Sequence, residues 1–562
     1  MTAASKSTNK RACNNALFRV KERAGDTAVL CILLGGVLLF ILWPMLCIAL
    51  RSFRAADGGF TLEAYSNVLS KYGTSMRNSV VVGICTAICT TILSLSAALT
   101  CATRRSWGRT LYMILLTAAM VAPPFVSSLA YIQLYGRRGW ITYRLFGLSW
   151  NPYNLAGVVA MQSLSFTPLN ALFLLGVLDK LDADSLRSAR DLGAKPSAIL
   201  RDIVLPLMRP GLLVSMLLSF VRSLADYGTP VIIGGRSVTL AAEVYLQVIG
   251  YSNLEKSSAM NMFLLVPSIL FFFIYRALMR RSDKLTAGSR STQGGLSLPL
   301  TRCGSVGWLA LIGSGLFFVL TLLQYGCVLL SGFLKSKKGV YSFTLDHWNE
   351  LWSIGASPVV RSVVYALIVA VVGTLFAALF AYYMDRCRVP GRAFFDCIAT
   401  MPYMLPGTCF GIGYILAFNH APLKLTGTAI IVLANMLFKQ LPTSAKICSA
   451  TLAQLQPAQE RSAQDLGAGR LAVIRDVVLP NMRPALLSCF VYNFTSSMTT
   501  AGAIIFLIDP SRQLAVFRLF DAVYRGDYAL ASVLASVITA IVLAVEGLVW
   551  LLSRKEGKRR VS

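Results

Sequence analysis

The sequence predicts an all-α, polytopic membrane protein of about twelve transmembrane helices, arranged as two parallel six-helix repeats. Three observations predict it. Of 562 residues, 56% are hydrophobic and only 14% are charged, where ordinary soluble domains carry about 25% charged residues. The apolar residues gather into twelve continuous segments, each near the roughly 20 residues that a bilayer-crossing helix needs. One polar 27-residue segment occurs twice, at 187–213 and 461–487, identical at 18 positions without a gap.

Taken in order, residues 1–26 are polar and basic, with Lys6, Lys10, Arg11, Arg19, Lys21 and Arg23, and are expected to be a cytoplasmic tail. The run 27–50 is too long for a signal-peptide core and no small-residue cleavage site follows, so it reads as a retained first span. The other spans of the first half are expected at 77–103, 109–133, 154–178, 211–235 and 258–280. Residues 281–302 are polar, Gly/Ser-containing and basic, as a cytoplasmic linker would be. The second half supplies 305–333, 359–384, 393–417, 425–448, 485–508 and 528–552, before a basic tail at 553–562. Two six-helix domains follow, 27–280 and 303–552. Unbroken apolar runs exclude a barrel, whose strands alternate in polarity.

Basic residues orient the spans. Arg104, Arg105 and Arg109, then Arg276, Arg280, Arg281 and Lys284, then Arg554, Lys555, Lys558, Arg559 and Arg560 all fall on the side of the basic N-terminus. Arg137, Arg138 and Arg144 are the exception. Six spans precede the linker, so both halves start on one side and both termini are expected in the cytoplasm. Shorter echoes support the duplication. Phe60-Thr61-Leu62 recurs as Phe343-Thr344-Leu345, and Tyr131, eight residues after Pro123, is matched by Tyr414, eight after Pro406.

The net charge of +28 fits retention of cytoplasmic loops better than nucleic-acid binding, because no basic folded module is visible. The 13 cysteines contain no CxxC and lie mostly in apolar runs; with two histidines, a metal site is not expected. No His/Asp/Glu or Ser/His/Asp cluster points to an enzyme. No G-x-x-x-x-G-K-[ST] phosphate loop is present, and Gly557-Lys558 lies in the basic tail, so ATP hydrolysis would belong to a separate subunit. No cofactor is expected.

The repeated segment reads as two short helices around a glycine. Leu181, Leu186, Ala189 and Leu192 make a rough apolar stripe before it. Gly193 and Gly467 suit a left-handed helix end. After it, Ile199, Leu200, Ile203 and Val204 share one face, as do Val473, Ile474, Val477 and Val478, with Arg201-Asp202 and Arg475-Asp476 opposite. Pro206 and Pro480, each 13 residues beyond its glycine, are expected to stop the helix. A hairpin packed only on its own bundle would not need two gapless copies; two equivalent docking points for a dimeric soluble partner would.

This segment resembles the "EAA" loop of permeases of binding-protein-dependent ABC importers. The resemblance implies that each loop docks on one copy of a cytoplasmic ABC ATPase. The coupling residues would be Ser188, Ala189, Asp191, Gly193 and Pro206 in one loop, and Ser462, Ala463, Asp465, Gly467 and Pro480 in the other. The family's leading glutamate is here Arg187 and Arg461. The resemblance extends over nearly the whole chain and implies a fused permease of the bacterial inner membrane, fed by an extracytoplasmic binding protein. LADYGTPVIIGG (224–235), SSMTTAGAIIFLIDP (496–510) and GDYALASVLASV (526–537) are most similar to ferric-iron importer permeases. Permeases for thiamine, 2-aminoethylphosphonate or a polyamine remain alternatives, as does a secondary transporter driven by an ion gradient.

Ionisable groups within a membrane are costly and often functional. Arg222 and Asp226, four apart, are expected to share a helix face before Gly228 and Pro230 break it. Asp226, Tyr227 and Thr229 are expected to face Ser496, Ser497, Thr499 and Thr500 across a translocation path; polar glue between helices is the competing reading. Asp226 and Tyr227 point about 100° apart on a helix, a poor chelate for a metal.

Overall fold

A computed structural model describes residues 25–54, 59–104, 106–121, 124–137, 139–148, 151–286, 303–337, 340–354, 356–403 and 405–559. The first half runs α1 (Gly25–Ser52), α2 (Glu63–Ala102), α3 (Ser106–Val121), α4 (Pro124–Tyr135), α5 (Leu155–Leu178), α6 (Ala183–Asp191), α7 (Pro196–Ala225), α8 (Gly228–Ile233), α9 (Leu240–Ile249) and α10 (Leu254–Thr286). The second runs α11 (Gly304–Ser331), a hairpin of β1 (Leu334–Lys337) and β2 (Val340–Phe343), α12 (Asp346–Ile354), α13 (Ser357–Arg386), α14 (Arg392–Thr400), α15 (Gly407–Phe418), α16 (Ala429–Leu452), α17 (Pro457–Asp465), α18 (Arg470–Val473), α19 (Arg483–Thr499), α20 (Ala515–Arg525) and α21 (Tyr528–Arg559).

Among the described residues, eight helices are long and apolar enough to span a membrane: α1, α2, α5, α7, α10, α11, α13 and α21. The segment predicted at 393–417 is a ninth only if two helices bent by 114° count as one span. Three predicted spans fall short. The segment 109–133 divides into α3 and α4, because Pro124 begins a new helix. The segment 425–448 is a 24-residue helix, α16, but it carries Asn435, Lys439, Gln440 and Lys446. The segment 485–508 ends as regular helix at Thr499. Two of the three shortfalls are thus bought with polar residues or irregular backbone, which membranes tolerate where protein or a cavity covers them.

The halves repeat one packing scheme. Helix α2 packs against α5 and α7, as α13 packs against α16 and α19. Small and polar residues tie the two partner helices of each set together: Asn170 Nδ2 of α5 donates to Ser219 Oγ of α7 at 2.6 Å, and Ser444 Oγ of α16 to Asn493 Oδ1 of α19 at 2.8 Å. Each half's first helix crosses to the other half. Helix α1 lies on α15, where the Tyr414 hydroxyl donates to the Phe40 carbonyl at 2.8 Å. Helix α11 lies on α2, close enough that a Cβ at Gly313 would sit 2.9 Å from Ser96 Oγ. The halves are therefore clasped reciprocally.

Two expectations shift at the edges. Helix α10 runs on to Thr286, past the expected start of the linker, and residues 287–302 lie outside those described, as do 1–24 and Pro123. The β1–β2 hairpin was not expected; it precedes the repeated Phe343-Thr344-Leu345, and Phe343 stacks on Phe333 as Phe60 stacks on Phe53.

Candidate docking loops and translocation cavity

In the first loop, Asp182 caps α6. Its carboxylate accepts from the backbone N–H of Asp184 and Ser185 at 3.2 and 3.3 Å and from Ser185 Oγ at 2.6 Å. The Ser185 hydroxyl, then the Asp184 N–H, hold this carboxyl below its usual range. The helix closes with matched bonds in the two loops. Ala194 N–H reaches the Ala189 carbonyl at 3.0 Å, and Ala468 N–H reaches that of Ala463 at 3.0 Å. Such six-residue rings need a left-handed residue, and Gly193 and Gly467 supply it at φ +83° and +92°. Nothing lies within 4 Å of a Cβ built on either glycine. Conformation, not space, requires glycine here.

Leu192 departs from the expected stripe. Leu181 is buried and Leu186 and Ala189 half-buried, but Leu192 is 88% exposed, and its counterpart Leu466 is 90% exposed. They are the most exposed large hydrophobic side chains among the described residues. The tight turn at the glycine throws them outward. Ser188, Asp191 and Gly193 are exposed beside Leu192, and Ser462, Asp465 and Gly467 beside Leu466.

Beyond each glycine, the expected face is buried: Ile199, Leu200 and Val204 in one loop, Val473, Ile474 and Val478 in the other, with Ile203 and Val477 partly so. Arg201 bonds Asp202 at 2.8 Å and Arg475 bonds Asp476 at 2.7 Å on the opposite, solvent-facing side. The prolines do not act as expected. Helix α7 continues through Pro206, and the chain after Pro480 breaks only at Met482 before α19 begins. Upstream π-helical turns, Ile199–Val204 and Ile474–Val478, loosen the bonding just before each proline and absorb its missing N–H.

Sequence reasoning missed Glu460. It lies one residue before Arg461, is buried, and pairs with Arg386 Nε at 3.2 Å. The Arg386 guanidinium also donates to the carbonyls of Leu452 and Leu455 at 2.7 and 2.8 Å. The same position in the first loop is Leu186, which packs on an apolar cluster. The loops are thus moored by different chemistry, one ionic and one apolar.

Between the halves lies a cavity of about 410 Å3. Asp226, Tyr227, Thr229, Ser496, Thr499 and Thr500 all line it. Ser497 does not; it is buried against the side-chain amide of Gln440 at 3.0 Å. Among the described residues no ion pair joins Arg222 to Asp226, because α7 ends at Ala225 and the two no longer share a helix face. Asp226 instead caps α8, Oδ1 accepting from the N–H groups of Gly228 and Thr229 at 3.0 and 3.3 Å, while Oδ2 accepts from Gln162 Nε2 at 2.9 Å. Gln162 Oε1 accepts from Ser223 Oγ at 2.6 Å, so each half holds one Gln–Ser clamp, Gln162–Ser223 and Gln440–Ser497. Lys439, not singled out in the sequence, also lines the cavity.

Comparison with known proteins agrees with the duplication. Residues 90–284 and 370–556 each match the family described as binding-protein-dependent transport system inner membrane component. The chain is 29% identical to a ferric transport system permease protein of Actinobacillus pleuropneumoniae, over 94% of this chain and 79% of that one. It is also 29% identical to a putative ferric transport system permease protein of Haemophilus influenzae, over 90% and 82%. A sulfate transport system permease protein of Salmonella typhimurium is 29% identical over 44% of this chain but 94% of its own length, so about half of this chain answers to one whole unfused permease. The chain therefore belongs to the binding-protein-dependent transport system inner membrane components, as a fused two-domain permease of an ABC importer.

Proposed function

We propose that this permease carries ferric iron across the bacterial inner membrane, with both termini in the cytoplasm and the domains bounded near 27–280 and 303–552. Similarity over nine-tenths of the chain to two ferric transport permeases supports the cargo. An extracytoplasmic binding protein delivers the cargo to the cavity. Two copies of a cytoplasmic ABC ATPase hydrolyse ATP and dock on the loops around Gly193 and Gly467.

The observation that carries the docking is the pair of exposed leucines, Leu192 and Leu466, each fixed beside a left-handed glycine. An apolar side chain held in water beside a rigid turn is a ready anchor for a partner groove. ATP binding closes the ATPase pair, the two loops move with it, and the halves rock about the cavity.

The experiment is titration of the cognate binding protein with Fe(III), thiamine, an aminophosphonate and a polyamine, followed by uptake into proteoliposomes holding the permease and its ATPase. Tight Fe(III) binding with ATP-dependent uptake is expected. Binding and uptake of an organic ligand alone would discard iron and keep the importer.

A further inference from the structure

The charged groups lining the cavity are unequal in what they have left to offer. Arg222, Asp226 and Lys439 are the ionisable Arg, Lys, Asp or Glu side chains among its described lining residues. Both oxygens of Asp226 are already engaged, by the Gly228 and Thr229 N–H groups and by Gln162. These bonds fix the carboxylate at the start of α8. Neither Arg222 nor Lys439 has a hydrogen bond or ion pair among the described residues, and no carboxylate other than Asp226 borders the space they face.

The place of Lys439 is built rather than incidental. Its ammonium lies against two glycines from different elements: a Cβ on Gly407 would sit 3.1 Å from Nζ and one on Gly502 4.0 Å away. A Cβ on Gly407 would also come within 3.0 Å of the Gly502 backbone. A side chain at Gly407 would crowd the ammonium, whereas a Cβ at Gly502 would meet it at ordinary contact distance. The side chains of Ser496, Thr499 and Gln440 border the same space, although the Thr499 hydroxyl already donates to the Thr495 carbonyl at 2.9 Å and the Gln440 amide is held by Ser497. Two cations facing one cavity, against a single carboxylate, make the chemistry of an oxyanion site. A bare trivalent cation would meet two like charges and one carboxylate that already accepts three hydrogen bonds.

We propose that the cavity passes its cargo as an oxyanion, free or carried as a ligand on the ferric ion, with Lys439 and Arg222 supplying the countercharge. This rests on reading the cavity as the translocation path of an importer. Iron would then cross together with the anion that neutralises it, not as a stripped ion.

The test is dual-label uptake by proteoliposomes holding the full permease, its ATPase and its binding protein. The binding protein is loaded with 55Fe(III) and 32P-phosphate, or with 55Fe(III) and 14C-citrate. Parallel arms carry 35S-sulfate alone and 14C-thiamine alone. The anion label is expected to enter with 55Fe in constant ratio. K439M and R222Q are each expected to lower uptake about tenfold or more, the scale of one lost charge-assisted contact, with K439R and R222K restoring most of it. Wild-type co-entry needs no variant, so a misfolded mutant cannot decide the matter alone. Iron entering without an anion label, or full-rate uptake by the K439M/R222Q double variant, overturns the proposal. Entry of 35S-sulfate without iron uptake in the other arms leaves the anion site standing and removes iron as cargo. Entry of thiamine alone removes both.

Discussion

Leu192 and Leu466 offer the cleanest separation of docking from folding. Each is about nine-tenths exposed in the permease, so truncation to alanine removes little that the fold has buried. Surface changes of this kind alter stability by about 0.5 kcal/mol or less. If the ATPase buries each leucine, the loss is that of a nearly whole side chain, about 1.5–3 kcal/mol. At about 1.4 kcal/mol per tenfold, one loop should weaken docking by about tenfold to a hundredfold. The loops sit on separate halves and should behave independently, so L192A/L466A should compound the two losses. The assay is ATPase capture by detergent-solubilised permease as a function of ATPase concentration, with thermal unfolding of the permease alone as control. Unchanged unfolding with much weaker capture is expected. A double variant that captures the ATPase as tightly as the wild type would refute the anchoring role.

Three further expectations follow from single contacts. G193V and G467V force a β-branched residue to φ above +80°, at a cost of roughly 1–2 kcal/mol or more; ATP hydrolysis should uncouple from uptake, G193N should be milder, and normal coupled uptake in both valine variants would count against the docking geometry. D226N keeps an acceptor for the Gly228 and Thr229 N–H groups, whereas D226A loses the cap at about 1 kcal/mol; uptake should survive the first and fall in the second, and a D226N that assembles normally but cannot transport would show that the charge itself acts in the path. E460Q leaves Arg386 without its anion in a site where the two side chains are 19% and 11% exposed; unfolding should come about 2–3 kcal/mol earlier, less than a fully buried pair, and the E460Q/R386M double variant should recover part of it.

The duplicated loop was legible because its physics is local. A left-handed helix end demands glycine at one position, and a buried face demands apolar residues at helical spacing, so both copies kept the same letters. What Leu192 does was not legible, since its spacing fits the stripe of Leu181 and Leu186. Only the direction of the chain at Gly193 decides that it points to water. Arg222 and Asp226 misled in the opposite way. Four residues apart they suggest a pair, but the break at Asp226 lies between the geometry assumed and the geometry made. Lys439 and Glu460 were invisible for a third reason: their significance comes from Gly407, Gly502 and Arg386, which are distant in sequence.

Fusion of two permease units has a consequence that two identical chains could not achieve. The scaffold is repeated closely, down to a Gln–Ser clamp in each half. The charges are not. The position of Arg222 in the first half is held by Ser496 in the second, and that of Asp226 by Thr500, 274 residues on. The residue before the clamp glutamine is Met161 in the first half and Lys439 in the second. A symmetric pair of chains would place each of these charges twice around the axis, doubling the desolvation cost and setting like charges against one another. Here one arginine comes from one half and one lysine from the other, and both line the same cavity. The loops follow the same logic: equal in the exposed turn proposed to dock on an ATPase, and unequal beneath, where Leu186 packs on an apolar cluster and Glu460 pairs with Arg386. On the proposed reading, symmetry is kept where a symmetric partner would dock and given up around the one cavity that both halves line.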